Sequence, residues 1–148
     1  YTAGENKYSY PRPTEDKITA LFRVMKEIAD YVIVDCVSDM DDLITRMAIS
    51  RTDSVIQMAA PDLKSLAYYT SQAEMFEAIA ERGIKILCIR DRDVYLPIEE
   101  VKSHFKDISV ILPYSRTLKQ QVITGTLSER LADINYRKQV AAIAKRVM

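Results

Sequence analysis

Short apolar runs alternate along this chain with stretches whose apolar residues recur at helical spacing. The runs fall at 31–36, 54–59, 84–89 and 108–112. Each contains Ile, three of them Val as well, and Pro61 and Pro113 close the second and fourth. Runs that are apolar at consecutive positions are expected to be covered on both faces, as strands of a parallel sheet are. The segments between and around them predict helices over about 15–29, 40–50, 63–82, 98–106, 116–124 and 134–147. In the first, Ile18, Leu21, Phe22, Met25, Ile28 and Ala29 make one stripe,. In the last, Tyr136, Val140, Ile143 and Val147 share a face. Alternation of this kind predicts an α/β fold: a mostly parallel sheet of at least four strands with helices on both faces.

Punctuation residues support those boundaries. Thr14, Asp62 and Ser115 stand where helix N-caps belong,. Gly83 and Gly125 stand where helices are expected to stop,. With Gly4 they are the only glycines, and they are scattered. A phosphate-binding loop needs clustered glycines so that backbone N–H groups can approach the phosphates. This chain therefore carries neither a Walker A loop nor a dinucleotide fingerprint. Nucleotide chemistry would need another segment to supply that loop.

The 148 residues predict a single domain,. Lys+Arg and Asp+Glu both number 21, so no net charge draws the chain toward nucleic acid or anionic lipid,. Its opening is polar and its apolar runs are short, so neither a signal peptide nor a membrane-spanning helix is expected. That points to a cytoplasmic protein with reduced thiols, and Cys36 and Cys88, each inside an apolar run, read as buried core residues,. The single histidine, His104, reads as a surface or boundary residue of a helix, and too few ligand types exist for a structural zinc site,. The irregular start at Tyr1, without methionine, reads as part of a longer protein.

In parallel α/β sheets ligands bind at the carboxyl ends of the strands. The candidate positions are thus 35–39, 60–62, 90–93 and 113–115. Asp35 ends a buried-type run and is the candidate metal-supporting carboxylate. Asp39, Asp41 and Asp42 cluster at a helix start, where carboxylates complement the helix dipole,. Arg90, Asp91, Arg92 and Asp93 alternate in sign and are expected to pair with one another, unless Arg90 or Asp91 faces a base or ribose,. Pro113 and Tyr114 line the same end, with Tyr114 either a stacking ring or a packing one.

Taken in order, these segments resemble the MinD/ParA family of P-loop ATPases. Tyr31-Val-Ile-Val-Asp35-Cys36 is similar to the family's Walker B strand. Thr52-Asp-Ser-Val-Ile-Gln-Met-Ala-Ala-Pro61-Asp62-Leu-Lys-Ser65-Leu66 resembles its next strand and Pro-Asp/Glu-x-x-Ser-Leu helix start. Ile111-Leu112-Pro113-Tyr114-Ser115 resembles its late Ile-Pro-Tyr-Asp turn. The resemblance covers about residues 15–148 and implies the C-terminal portion of such a domain, a partial P-loop NTPase fold. The Walker A segment would lie upstream of Tyr1, and in relatives its strand lies beside the Walker B strand. It implies ATP and Mg²⁺ as cofactors of the parent domain. Asp35 would support the metal, and Arg90, Asp91, Pro113 and Tyr114 would lie at the base and ribose.

Two departures weigh against ordinary ATP sensing. The family's Asp-x-Pro-Pro-Gly is replaced by Asp35-Cys36-Val37-Ser38-Asp39, and Arg90 stands where relatives often carry an adenine-reading Asn. Both point to an atypical branch such as the TadZ/CpaE pilus-localisation proteins. The expected function is that of an ATPase or pseudo-ATPase that positions cellular machinery in partitioning, septum placement or pilus assembly. These residues alone are expected not to hydrolyse ATP. Expected partners are a second copy or an upstream N-terminal half, with other proteins as cargo. A peripheral membrane contact through the last helix, with Lys145 and Arg146, is a weaker expectation. So is a DNA-binding face around Arg116, Lys119, Arg130, Arg137 and Lys138. One alternative is a non-catalytic scaffold domain that has lost nucleotide binding. Another is a receiver-like signalling domain, which lacks its lysine because Pro113-Tyr114-Ser115 occupies that place.

Overall fold

The computed structural model describes residues 13–91, 96–105 and 107–148. The chain divides into two compact units, Tyr1–Thr52 and Asp53–Met148. The tyrosine-containing opening read from the sequence falls, up to residue 12, outside the described residues, as do Arg92 and Asp93.

In the first unit, helix α1 spans Glu15–Ile28 and helix α2 spans Leu43–Arg51. Thr14 caps α1, accepting from the backbone N–H of Lys17. Asp42 caps α2, its Oδ2 taking the N–H of Thr45 at 2.8 Å. The two helices pack together, with Ile18, Thr45, Met47 and Ala48 buried. Arg51 Nη1 ties α2 back to α1 by donating to Thr19 Oγ1 at 2.7 Å. Of the acidic cluster, Asp42 caps α2, while Asp39 Oδ1 accepts from the N–H of Asp41 at 2.9 Å in the turn before the helix.

The strand expected at 31–36 does not form. The segment carries no ladder, and Tyr31 and Ile33 are 67% and 92% exposed. β-propensity describes fit to a pleated, half-buried surface, not a self-sufficient structure. The other described elements of this unit are helices, which offer no edge to pair with. Cys36 is accordingly exposed rather than buried.

Among its described residues the second unit holds three strands: β1 (Val55–Ala59), β2 (Gly83–Cys88) and β3 (Ile108–Leu112). They form one sheet in the order β1-β2-β3, both pairings parallel. The α/β class is as read, with three strands instead of four or more. Helices α3 (Leu63–Ser71), α4 (Ala73–Ala78), α5 (Ile98–His104), α6 (Arg116–Thr124) and α7 (Ile134–Val147) fill the connections and the C-terminus. One face of the sheet presents Ile84, Ile86, Val110 and Leu112 to Ile143 of α7, flanked by Tyr136 and Val147. The opposite face buries Leu87 against Val101 and Phe105 of the α5 region, with Leu66 and Tyr69 of α3 beside them. A fully buried aliphatic side chain such as Leu87 contributes about 1.5–3 kcal/mol.

Four details depart from the sequence reading. The helix expected over 63–82 breaks at Gln72 and again near Ile79, where a 3-10 turn, Ala80–Arg82, follows. Thr70 and Ser71 turn their hydroxyls onto the carbonyls of Leu66 and Tyr68, the local competition that weakens helix ends,. Gly83 is not a left-handed helix stop; at φ −89° it begins β2. β1 is an edge strand whose Ile56 and Met58 are exposed. Val140 of α7 likewise faces solvent. Asp133 caps α7, and Gly125 ends α6 in the left-handed region at φ 72°.

Candidate functional site

A cavity of about 250 Å³ opens at the carboxyl ends of β2 and β3. Its walls come from three places: the end of β2 with Arg90, the turn Pro113–Ser115 after β3, and the first turns of α6. Ile89 N–H donates to the Leu112 carbonyl at 2.9 Å, which carries the β2–β3 pairing into the cavity floor. Pro113 stops the strand, and Ser115 starts α6 by accepting the N–H of Leu118 at 3.3 Å. Ser115 is buried, and its hydroxyl also meets Thr117 and Asp133. The caps of α6 and α7 are therefore joined beneath the cavity. Tyr136, one turn into α7, closes the far wall.

Arg90 is the charged group on the β2 side. Its Nη2 donates to Asp62 Oδ2 at 2.8 Å. Asp62 is the N-cap of α3, and its Oδ1 takes the N–H of Ser65 at 2.7 Å. Ser65 Oγ in turn accepts the N–H of Ala60 at 3.1 Å, so the turn after β1 is tied at both ends. That bonding, led by the Ser65 N–H and aided by Arg90, holds the Asp62 carboxyl below the usual carboxylate range. Asp91 does not pair with Arg90; its Oδ1 lies 3.7 Å from Lys119 Nζ, and Lys119 lines the cavity. Arg90 thus reaches the turn after β1, and Asp91 reaches α6.

Among the candidate residues, Arg90, Pro113 and Tyr114 line this one cavity, and Asp91 adjoins it through Lys119. Asp35 belongs to the first unit and is exposed. No group of three or more His, Cys, Asp or Glu able to hold a metal occurs among the described residues. Those residues alone do not build a cation site around Asp35.

The lining favours binding over chemistry. Among the described residues, no carboxylate and no histidine lines the cavity as a general base,. Burial pushes the Cys88 thiol up, away from the thiolate that a nucleophile needs,. Burial likewise raises the Tyr136 phenol. What remains is a largely apolar lining that includes Leu118, Val122 and two tyrosines, together with Arg90 and Lys119. Lys119 was readable in principle: it follows Ser115 by four residues and so shares its helix face. Asp62 was visible as a cap, but its bond to a residue 28 positions away left no local signal.

No protein-family model, curated protein or solved structure matches this chain. No helix among the described residues is long and apolar enough to cross a membrane.

Proposed function

We propose that this chain is the base-binding portion of a MinD/ParA-like nucleotide-dependent protein that positions cellular machinery. The cavity receives the base of a nucleotide, ATP in the relatives that the sequence resembles. One observation carries this reading: Arg90, Pro113 and Tyr114, singled out at strand ends, line a single apolar cavity there. Aromatic side chains bind bases by stacking, and Tyr114 and Tyr136 supply two rings. The phosphates and any Mg²⁺ belong to a glycine-rich loop that these residues lack. An N-terminal half of the same domain is the proposed source.

Equilibrium titration of the full chain with fluorescent ribose-labelled ADP and GDP tests the reading. Saturable binding that weakens about tenfold or more in Tyr114→Ala supports it. Absence of binding at millimolar nucleotide rejects it. The scaffold reading then takes over, and the exposed Ile56 and Met58 on edge strand β1 are what favour it,.

A further inference from the structure

We propose that the cavity selects a 6-oxopurine base, guanine or hypoxanthine, over adenine, and that Arg90 held by Asp62 makes the selection. This rests on the nucleotide reading above. The argument is a count of donors and acceptors. A guanidinium has only N–H donors, and the bond to Asp62 engages one of several,. Lys119 adds a second donor-only group,. The nearby carboxylates each already face a donor. Asp62 gives Oδ1 to the Ser65 N–H and Oδ2 to Arg90. Asp91 pairs with Lys119, and the Leu112 carbonyl takes the Ile89 N–H. Among the described residues, no carboxylate or carboxamide side chain lines the cavity to accept from an exocyclic amine. The phenols of Tyr114 and Tyr136 donate as well as accept, so they do not discriminate.

Guanine and hypoxanthine present two acceptors on one edge, O6 and N7, and arginine is their natural partner. Adenine presents the N6 amine beside N7 and would set donor against donor at Arg90. Asp62 matters as a positioning residue. An exposed arginine loses rotamer entropy when it orders on a ligand. Here the bond from Arg90 Nη2 to Asp62 Oδ2 biases where the guanidinium stands before a ligand arrives. The cavity volume, about 250 Å³, lies just under the usual range for small-molecule sites of about 300–1,000 Å³,. It suits a base rather than a whole nucleotide.

The test is a titration of the ¹⁵N-labelled full chain with GMP, IMP and AMP, followed by amide shifts. We expect GMP and IMP to shift the amides of residues 88–90 and 112–119, with affinities on the order of tenfold above that of AMP. Arg90→Gln should invert the order, because a glutamine carboxamide matches adenine N6 and N7. Asp62→Asn keeps a capping side chain and should bring the GMP-to-AMP ratio toward unity. AMP binding as tightly as GMP at the same amides overturns the selectivity and leaves the nucleotide reading standing. IMP falling with AMP shows that the 2-amine is read and overturns the role of Arg90. No shift from any of the three overturns both the selectivity and the reading beneath it.

Discussion

Asp62 and Arg90 join the ends of two neighbouring strands: Arg90 Nη2 lies 2.8 Å from Asp62 Oδ2. The Asp62 carboxylate has a second duty as the cap of α3. The two duties differ in worth. An N-cap aspartate contributes about 1 kcal/mol. An ion pair this exposed, with side chains 67% and 41% accessible, contributes no more than a few tenths,. Asp62→Ala is therefore expected to cost about 1 kcal/mol in urea unfolding, and Arg90→Ala less than about 0.5 kcal/mol. Equal losses in the two variants would show that the pair, and not the cap, does the stabilising.

Acid should weaken the second unit through two caps. Asp62 is held below the usual carboxylate range chiefly by the Ser65 N–H. Asp133 is held there by the Tyr136 N–H and then by the Ser115 hydroxyl. A carboxyl whose folded pKa is depressed adds stability above its unfolded pKa, about 3.9, and loses it as pH falls through the folded value. Stability should thus be flat from about pH 7 to 5 and decline below about pH 4. Asp62→Asn combined with Asp133→Asn should flatten that acid limb. Urea midpoints at several pH values measure it, and an unchanged limb in the double variant would place the titration elsewhere.

The readable parts of the fold share a physical origin. β1, β2 and β3 are short apolar runs with strong stops, and α6 lies between a serine cap and a left-handed glycine. Local chemistry decides such elements, so pattern suffices. Where a partner decides, pattern fails. The 31–36 run has strand composition but no ladder. Gln72, at φ −112° and ψ 20°, breaks a helix whose apolar spacing runs straight through it. The cavity divides the same way. Arg90, Pro113 and Tyr114 follow from the rule that parallel sheets bind at their carboxyl ends. The Asp62–Arg90 and Lys119–Asp91 pairs depend on folding and leave no trace in spacing.

Two glycines should respond to alanine for different reasons. At Gly125 an added Cβ meets nothing within 4 Å, but φ is 72°, so Gly125→Ala costs about 1 kcal/mol of backbone strain,. Gly125→Asn should recover part of it, since asparagine tolerates that region. At Gly83 the backbone is ordinary and the space is not. A Cβ there would lie 2.9 Å from Gln57 Nε2 and 3.1 Å from the Ile79 carbonyl. The amide end can swing away, whereas the carbonyl is main chain. Gly83→Ala should cost about 1–3 kcal/mol of overpacking. Thermal melts of the three variants give the order, and a neutral Gly83→Ala would show that the turn before β2 yields freely.

ATP turnover should be at buffer level in a phosphate-release assay of the purified chain, with or without Mg²⁺. Phosphoryl transfer depends on positioning and on charge stabilisation around the γ-phosphate. The three scattered glycines provide no loop whose N–H groups could do that,. Turnover that co-purifies with the chain and falls in Tyr114→Ala would overturn this and locate phosphate binding in these residues.

The exposed 31–36 segment makes the sharpest contrast between pattern and structure. Ile33 is 92% exposed and Ile86 is 3% exposed, although both sit in β-branched apolar runs. Lysine at an exposed site away from caps and cores changes stability by no more than about 0.5 kcal/mol. A lysine forced into a core must leave its charge unpaired or give up its proton, at several kcal/mol. Ile33→Lys should therefore unfold in urea close to the parent chain, while Ile86→Lys should fail to fold or lose about 4 kcal/mol or more. Hydrogen exchange gives an independent reading. The amides of residues 31–36 have no ladder partner and should exchange quickly, whereas those of β2, paired on both sides, should be among the slowest,. Strong protection at 31–36, together with a large loss in Ile33→Lys, would mean that this run is a paired strand after all.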